Sequence, residues 1–138
     1  MDENKKNGGE KRFQFSFHGK EIVVEVDQLA TKSDKSILFH YGSTTVLSVL
    51  VTKQLTRCND SFFPLNIIFE EKSYSIGRIP TGFSKREEKS SYEAITTSRL
   101  VDRSLRSFFP LSFADQEVQI TNCILSADST CDPRIVAI

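Results

Sequence analysis

Residues 36–51, SILFHYGSTTVLSVLV, decide the fold of this chain. The two arms of the stretch, 36–41 and 45–51, are rich in β-branched and aromatic side chains, which favour β-strands. Between them, the sequence Gly42-Ser43-Thr44 is typical of a tight turn. The stretch therefore predicts two strands, the second of which runs back beside the first.

More strands are predicted upstream of this pair. Phe13, Phe15 and Phe17 alternate with polar residues, and the run EIVVEV follows at 21–26. Such alternation is typical of a strand, and a glycine between two strands is typical of a turn. We therefore expect a hairpin that turns at Gly19.

Downstream, the apolar runs 65–69 and 118–125 predict two further strands, while 28–35 and 53–60 are polar connections. Side chains alternate along a strand, so Val118, Ile120 and Asn122 are expected on one face of the last one.

A helix is predicted between these last two strands. Ser90 and Glu93 have the spacing of a capping box, in which the serine oxygen accepts an early backbone N–H and the glutamate reaches back. The helix should end in SFFP at 107–110, because a proline disfavours helical conformation in the residue before it.

The predicted helix has a basic face and an apolar face. At about 100° per residue, three arginines fall in one narrow stripe: Arg99, Arg103 and Arg106. Roughly opposite them lie Ala94, Val101 and Leu105. Asp102 has the spacing to pair with Arg99 or with Arg106.

Length and composition bound the class of protein. The chain has 138 residues, of which 38% are hydrophobic and 26% charged, as in one soluble domain with a core. No apolar run approaches the roughly 20 residues that span a bilayer, and no secretory signal is recognisable. We expect a disordered arm at 1–12 and one domain at 13–138. The 3 cysteines form no CxxC pair, which fits a reducing, cytoplasmic location.

The C-terminal residues predict a short helix. Asp132 is a good capping residue, and Pro133 suits the first helical position. Apolar residues follow up to Ile138 with no capping residue after them. We expect that the domain is incomplete at this end, because nothing would cover those side chains. The alternative is a complete protein with a short buried terminal turn.

Positive charge is concentrated in one segment. The whole chain has 18 basic and 18 acidic residues, but residues 78–110 contain seven Lys or Arg and four acids. A local basic surface suits a polyanion, and nucleic acid is the first candidate. In the loop 80–87, Phe83 could stack on a base while Lys85 and Arg86 track phosphates. The alternatives are a solvated loop with Phe83 in the core, and a solvated arginine face balanced by acids.

The sequence gives little support for catalysis. His18 lies at a predicted turn and His40 in a predicted strand, and neither has a neighbouring nucleophile. Asp128 and Asp132 flank a turn and could bind a cation, but turn chemistry explains them better. We recognise no phosphate-binding loop, dinucleotide fingerprint or nucleophile elbow. We therefore predict no catalytic and no metal-binding residue in this chain.

Four stretches carry a family resemblance, in order along the chain. They are LATKSDKSILFHYGSTTVLSVLVTK, DSFFPLNIIFEEKSYSIGRIPTGFSKREE, SRLVDRSLRSFFP and EVQITNCILSADSTCDPRIVAI. On this basis, residues 19–138 resemble the N-terminal core domain of the polynucleotide phosphorylases, or polyribonucleotide nucleotidyltransferases. The resemblance implies an α/β, RNase PH-like fold (ribosomal protein S5 domain 2-like), with helices packed on a mixed sheet.

The resemblance also implies a function. Enzymes of this family use inorganic phosphate and magnesium to remove nucleoside diphosphates from RNA 3′ ends during mRNA degradation, and they form homotrimeric rings. Their catalytic and metal-binding residues lie in a second RNase PH-like domain, which this chain lacks, so we expect the chain alone to be inactive. The implied contacts to single-stranded RNA are Phe83, Ser84, Lys85, Arg86, Arg99, Arg103 and Arg106.

The chain departs from the family pattern in the loop and directly after it. Ser84 stands where a second aromatic residue is usual, and Glu88 adds a negative charge beside the basic pair. We expect weaker stacking on RNA as a result. Two other functions stay open: a single-domain RNase PH-type tRNA-processing ribonuclease, which SLR at 104–106 also resembles, and a non-catalytic assembly module.

Overall fold

The computed structural model describes residues 11–55, 63–80, 90–110 and 115–137. Within these ranges, six strands form one mixed sheet in the order β1-β2-β3-β4-β6-β5. The strands are β1 (Lys11–Phe17), β2 (Lys20–Val26), β3 (Lys35–Tyr41), β4 (Thr44–Gln54), β5 (Leu65–Glu70) and β6 (Gln116–Ser126). The helices are α1 (Tyr92–Arg106) and α2 (Pro133–Ala137), with a short 3-10 helix at Ser73–Ile76.

The structure confirms both predicted hairpins. β3 and β4 pair antiparallel across the turn at Gly42, with Tyr41 opposite Thr44. β1 and β2 pair antiparallel across His18 and Gly19, whose φ angles of 48° and 72° suit a tight hairpin turn. β4 pairs antiparallel with β6, and β6 pairs in parallel with β5. The predicted α/β class with a mixed sheet is therefore correct.

Several strands extend beyond their predicted ends; β3, for example, includes Lys35, which was predicted to lie in a polar connection. β1 begins at Lys11, so the last two residues of the predicted arm at 1–12 belong to the sheet; its other residues lie outside the described ranges. β4 continues through Lys53 and Gln54, which pair with β6, although these two residues were predicted to open a loop. The pairing of backbone N–H and C=O groups needs no apolar side chain, so it continues where the hydrophobic pattern stops.

The core lies between α1 and the sheet. Val46, Phe69, Ala94 and Ile124 are at most 2% exposed and pack together. They join β4, β5, β6 and α1 into one cluster, so the helix is anchored over the parallel end of the sheet. Because α1 connects β5 to β6, its packing also determines how those two parallel strands meet.

The buried face of α1 only partly matches the prediction. Ala94 and Val101 are buried as expected, whereas Leu105 is half-buried. Thr97, which the prediction omitted, is 5% exposed. Its Oγ1 donates to the carbonyl oxygen of Glu93 at 2.9 Å, so the hydroxyl is satisfied within the helix.

The predicted capping box at Ser90 is wrong by one residue. Ser91 is the N-cap: its backbone is extended, and its Oγ accepts the backbone N–H of Ala94 at 3.0 Å. The Oγ of Ser91 also donates to Glu71, which fixes its orientation. Glu93 pairs with Arg134 instead of returning to the cap. The predicted end of the helix is confirmed, since α1 stops at Arg106.

The short helix α2 begins as predicted. The Oδ1 of Asp132 accepts the backbone N–H of Arg134 at 2.9 Å, and Pro133 is the first helical residue. The incompleteness of the domain beyond this helix stays a prediction. No helix in the described part of the chain is long and apolar enough to cross a membrane.

Candidate nucleic-acid interface

The outer side of α1 presents two of the three predicted arginines to solvent. Arg99 and Arg103 are exposed, and they are neighbours on the helix surface because they are four residues apart. The ion pairs that the structure shows for α1 join Asp102 to Arg106 and Glu93 to Arg134. Arg99 and Arg103 therefore form an exposed basic pair over a helix whose other face is buried.

The third arginine of the stripe is held against the protein. Nη2 of Arg106 donates to Asp102 at 2.8 Å, and Nη1 donates to the carbonyl oxygen of Phe63 at 2.9 Å. The guanidinium also lies 6.0 Å from the centre of the Phe63 ring. Arg106 thus ties the end of α1 to the segment before β5. Of the two partners that the sequence allowed for Asp102, the structure selects Arg106.

The predicted RNA-contacting loop lies outside the described residues. This applies to Phe83, Ser84, Lys85 and Arg86, whose role stays a prediction. The segment that leads to the loop is described. It turns at Gly77, with a φ of 68°, and the backbone N–H of Arg78 donates to Ser73 at 2.9 Å.

A cleft opens beside this segment. Its volume is about 450 Å³, and it lies between the 3-10 helix and the residues that follow β6. Exposed Arg78 lines one part, and Asp128 and Ser129 line another. The cleft is therefore lined by side chains of both charges, whereas the exposed pair on the outer side of α1 is basic.

The acids near this cleft are already engaged. Asp128 accepts the hydroxyl of Thr130 at 2.6 Å, and this bond lowers the pKa of its carboxyl group below the usual value. Two hydrogen bonds from Nε of Arg134 hold Asp132 and lower its carboxyl pKa in the same way. The described residues contain no group of three or more side chains suited to a metal ion.

Lys20 and Cys131 form a cluster that was not predicted from the sequence. Cys131 is 2% exposed, and Nζ of Lys20 lies 3.1 Å from its Sγ. The ammonium group lowers the pKa of the Cys131 thiol, and the thiol in turn raises the pKa of Lys20. Lys20 also lies over the ring of Tyr41, 5.6 Å from its centre. No local signal predicts this cluster, because Lys20 and Cys131 are separated by 111 positions.

Comparisons with known sequences find one family throughout most of the chain. The model of the 3′ exoribonuclease family, domain 1, matches residues 18–138. A polyribonucleotide nucleotidyltransferase of Lachnoclostridium phytofermentans is 38% identical over 127 residues, and one of Staphylococcus epidermidis is 42% identical over the same length. Each match covers 92% of this chain and 18% of the relative, so the chain spans about a fifth of their length.

A comparison with solved structures finds the same fold. A chain of the Archaeoglobus fulgidus exosome, solved with RNA bound to the active site, matches with a TM-score of 0.57. The match covers 76% of this chain and 44% of that one, at 19% sequence identity. At this identity the likeness supports the fold alone.

Proposed function

This chain belongs to the 3′ exoribonuclease family, and from that premise we propose that it is the N-terminal RNA-binding and ring-forming part of a phosphate-dependent 3′-to-5′ exoribonuclease that degrades mRNA. The relatives that are 38% and 42% identical over 127 residues are polyribonucleotide nucleotidyltransferases. Its substrate is single-stranded RNA, and its co-substrate is inorganic phosphate. We assign a homotrimeric ring and a cytoplasmic location, like the activity itself, to a full-length enzyme of this family.

The exposed pair Arg99 and Arg103 is the observation that carries the proposed RNA contact. A guanidinium group offers a planar fork of donors that matches phosphate oxygens, and its positive charge persists at any physiological pH. The packed opposite face holds α1 in place, so the two forks approach RNA from a rigid element. Phe83, Lys85 and Arg86 are the proposed contacts in the preceding loop.

Arg106 belongs to the proposed contacts by resemblance, but its position assigns it a second task. Asp102 and Phe63 already accept its hydrogen bonds. A phosphate would have to share the guanidinium with these partners. We therefore expect Arg106 to contribute less to RNA affinity than Arg99 or Arg103, and more to the stability of the helix end.

We propose that catalysis takes place outside this chain. In the full enzyme, magnesium would supply charge stabilisation. The described residues contain no group of three or more side chains suited to a metal ion, and Asp128 and Asp132 are engaged with Thr130 and Arg134. The chain alone should bind RNA without shortening it. Phosphate-dependent release of nucleoside diphosphates by this chain would instead support a single-domain ribonuclease.

The RNA contact is tested by titration of labelled single-stranded RNA at two salt concentrations. The variant Arg99→Ala/Arg103→Ala should bind at least about 10-fold more weakly at low salt, and its affinity should depend less on salt, since fewer phosphates are neutralised. The matched control is Arg12→Ala/Lys32→Ala, which removes the same charge from exposed positions on β1 and in the β2–β3 connection. This control should bind nearly as tightly as the unmodified chain.

Two results would count against the proposed contact. Equal losses in the two double variants would mean that net charge, and not the α1 surface, determines binding. No binding by the unmodified chain at low salt would leave it as an assembly module. Circular dichroism of each variant would verify that α1 is still formed.

A further inference from the structure

An exposed aromatic surface lies at the β1 edge of the sheet. The helix α1, which carries the arginines, packs over the opposite end, on β4, β5 and β6. β1 is the terminal strand of the sheet and pairs with β2 alone among the described strands. Phe13, Phe15 and Phe17 lie on one face of β1 and are 53%, 52% and 42% exposed. Together with the free edge of β1, they form what we call the β1 surface.

The β1 surface continues onto the neighbouring strands. Phe15 and Phe17 line a hollow of about 230 Å³ with Ile22, Phe39 and Ile135. The exposed Phe15, Phe17 and Ile135 thus surround a hollow whose floor includes the buried Ile22. A continuous apolar patch of this kind marks an interaction surface more often than scattered single residues do.

From Phe13 to Phe17, the edge lacks the features that usually prevent strands from pairing. Residues 13–17, FQFSF, contain no charge and no proline. β1 pairs with β2 in unbroken register from Lys11 to Phe17, so no bulge turns its edge away. Native proteins commonly protect exposed edges by such devices, and a flat apolar edge without them is a template for another strand.

We propose that the β1 surface binds a second copy of this chain, with the two β1 strands paired antiparallel around a two-fold axis at Gln14. In this register each residue i lies opposite residue 28 minus i, so the strand 11–17 pairs with itself over its full length. Phe13 faces Phe15 of the partner copy, and Arg12 faces Ser16. Phenylalanines of both copies stay on one face, because the register preserves the alternation of side chains.

Charge favours this antiparallel arrangement over a parallel one. The only charged residues of β1 are Lys11 and Arg12, both at its start. Antiparallel pairing places the two basic ends at opposite ends of the joint sheet. Parallel in-register pairing would set like charges beside each other, which is destabilising. The net charge of zero also leaves no overall repulsion between copies.

The area predicts a weak dimer. Three half-exposed phenylalanines offer on the order of 300 Å² of ring surface per copy, given about 200 Å² for each ring. Both copies together bury less than the roughly 1,200 Å² of a stable interface, unless the strand edges add substantially. Association should therefore depend on concentration. A two-fold contact joins two chains, so it differs from the contact that closes a three-membered ring.

Sedimentation equilibrium over a wide range of protein concentration tests the proposal. The expected result is a monomer–dimer equilibrium, or a hexamer if a trimeric ring forms as well. Phe15→Lys should abolish dimerisation by placing a charge in the centre of the edge. Its matched control is Ile79→Lys, since Ile79 is 84% exposed outside the β1 surface and outside the sheet.

A charge swap at Ser16 tests the register without touching an aromatic residue. Ser16→Lys would face Arg12 of the partner copy, whereas Ser16→Glu would attract it. Each change occurs twice by symmetry, so the dissociation constants of the two variants should differ by about 2- to 10-fold, with Ser16→Glu the tighter. Within one chain Ser16 lies opposite Glu21, so the lysine variant gains a partner there, and weaker association would not reflect a lost fold.

The proposal is overturned by a monomer at all concentrations, or by a trimer without dimers. It is also overturned if Phe15→Lys and Ile79→Lys behave alike, or if the two Ser16 variants do not differ. A monomer would mean that something other than a second copy covers the β1 surface. None of these outcomes depends on RNA, so the proposed function is tested separately.

Discussion

Arg103 and Arg106 lie three residues apart on the same stripe of α1, yet their surroundings differ. Arg103 is exposed, whereas Arg106 donates to Asp102 and to the backbone carbonyl of Phe63. A hydrogen bond from a charged group to a partner that is partly shielded from solvent contributes more to the stability of the fold than a bond between neutral groups. Both residues are arginines on the same face of the helix, so it is the hydrogen-bond partners of Arg106 that give it a structural role.

Arg106→Met should lower the free energy of unfolding by about 1–3 kcal/mol, because it leaves the Phe63 carbonyl and Asp102 without their donor. Arg103→Met, which removes the same charge from an exposed position, should change stability by no more than about 0.5 kcal/mol. Urea unfolding followed by circular dichroism measures both. Equal losses in the two variants would contradict the structural role of Arg106.

Lys20 and Cys131 form the second residue-scale interaction. Because the ammonium group stabilises the thiolate, Cys131 should ionise at a lower pH than an ordinary cysteine. In Lys20→Met this stabilisation is lost, so the thiol pKa should rise. The measurement is the ultraviolet absorbance of the thiolate against pH, with Cys58→Ser and Cys123→Ser in both proteins so that Cys131 is the sole thiol.

Lys32→Met is the control for this titration. Lys32 is an exposed lysine in the β2–β3 connection, and its removal changes the net charge by the same amount. It should leave the ionisation of Cys131 unchanged. A similar rise in both variants would mean that overall charge, and not the contact with Lys20, lowers the pKa.

At the scale of single elements, the two hairpin turns provide a comparison. Gly19 and Gly42 both have positive φ angles, of 72° and 57°. A Cβ at Gly19 would have no atom within 4 Å, whereas one at Gly42 would lie 2.9 Å from Sγ of Cys131. The turn between β3 and β4 therefore has no room for a side chain at Gly42, whereas the first hairpin has room for one at Gly19.

Gly19→Ala should cost about 1 kcal/mol, from the left-handed backbone alone. Gly42→Ala should cost more, because Cys131 must also move in a packed environment. Thermal unfolding of the two variants measures the difference. Cys131→Ala should remove the additional cost in a double variant with Gly42→Ala, and failure of this rescue would refute the steric explanation.

The helices and strands show how far the sequence could predict them. Alternation and turn residues located both hairpins, because their determinants are local in sequence. The cap of α1 was missed by one residue, since both Ser90 and Ser91 can act as caps and the sequence does not show which one Glu71 contacts. Thr97 was missed because its hydroxyl bonds within the helix, which lets a polar residue occupy the apolar face.

The candidate interface shows the same limit. The sequence placed Arg99, Arg103 and Arg106 on one stripe, which is a consequence of helical periodicity. That Arg106 would turn towards Phe63 depends on a contact between positions 43 residues apart, which periodicity does not contain. The exposure of the β1 surface likewise depends on which strand lies at the sheet edge, and strand order is a property of the whole fold.

At the scale of the whole molecule, the order of the strands predicts how stability is distributed. β4 and β6 lie inside the sheet, pair with each other over most of their length, and carry the core residues Val46 and Ile124. β1 lies at the edge, and all seven of its residues are exposed. Local opening is easiest where few apolar contacts are lost, so β1 should open at the lowest free energy.

Hydrogen exchange at low protein concentration should therefore be slowest in the amides of β4 and β6 and fastest in those of β1. At high concentration, pairing of two β1 strands would protect the outward-facing amides of β1, while β4 and β6 would change little. The same measurement on Phe15→Lys should show no protection of β1 at any concentration. Slow exchange of β1 in the dilute monomer would contradict the proposed distribution of stability, because it would require contacts that an exposed edge strand does not make.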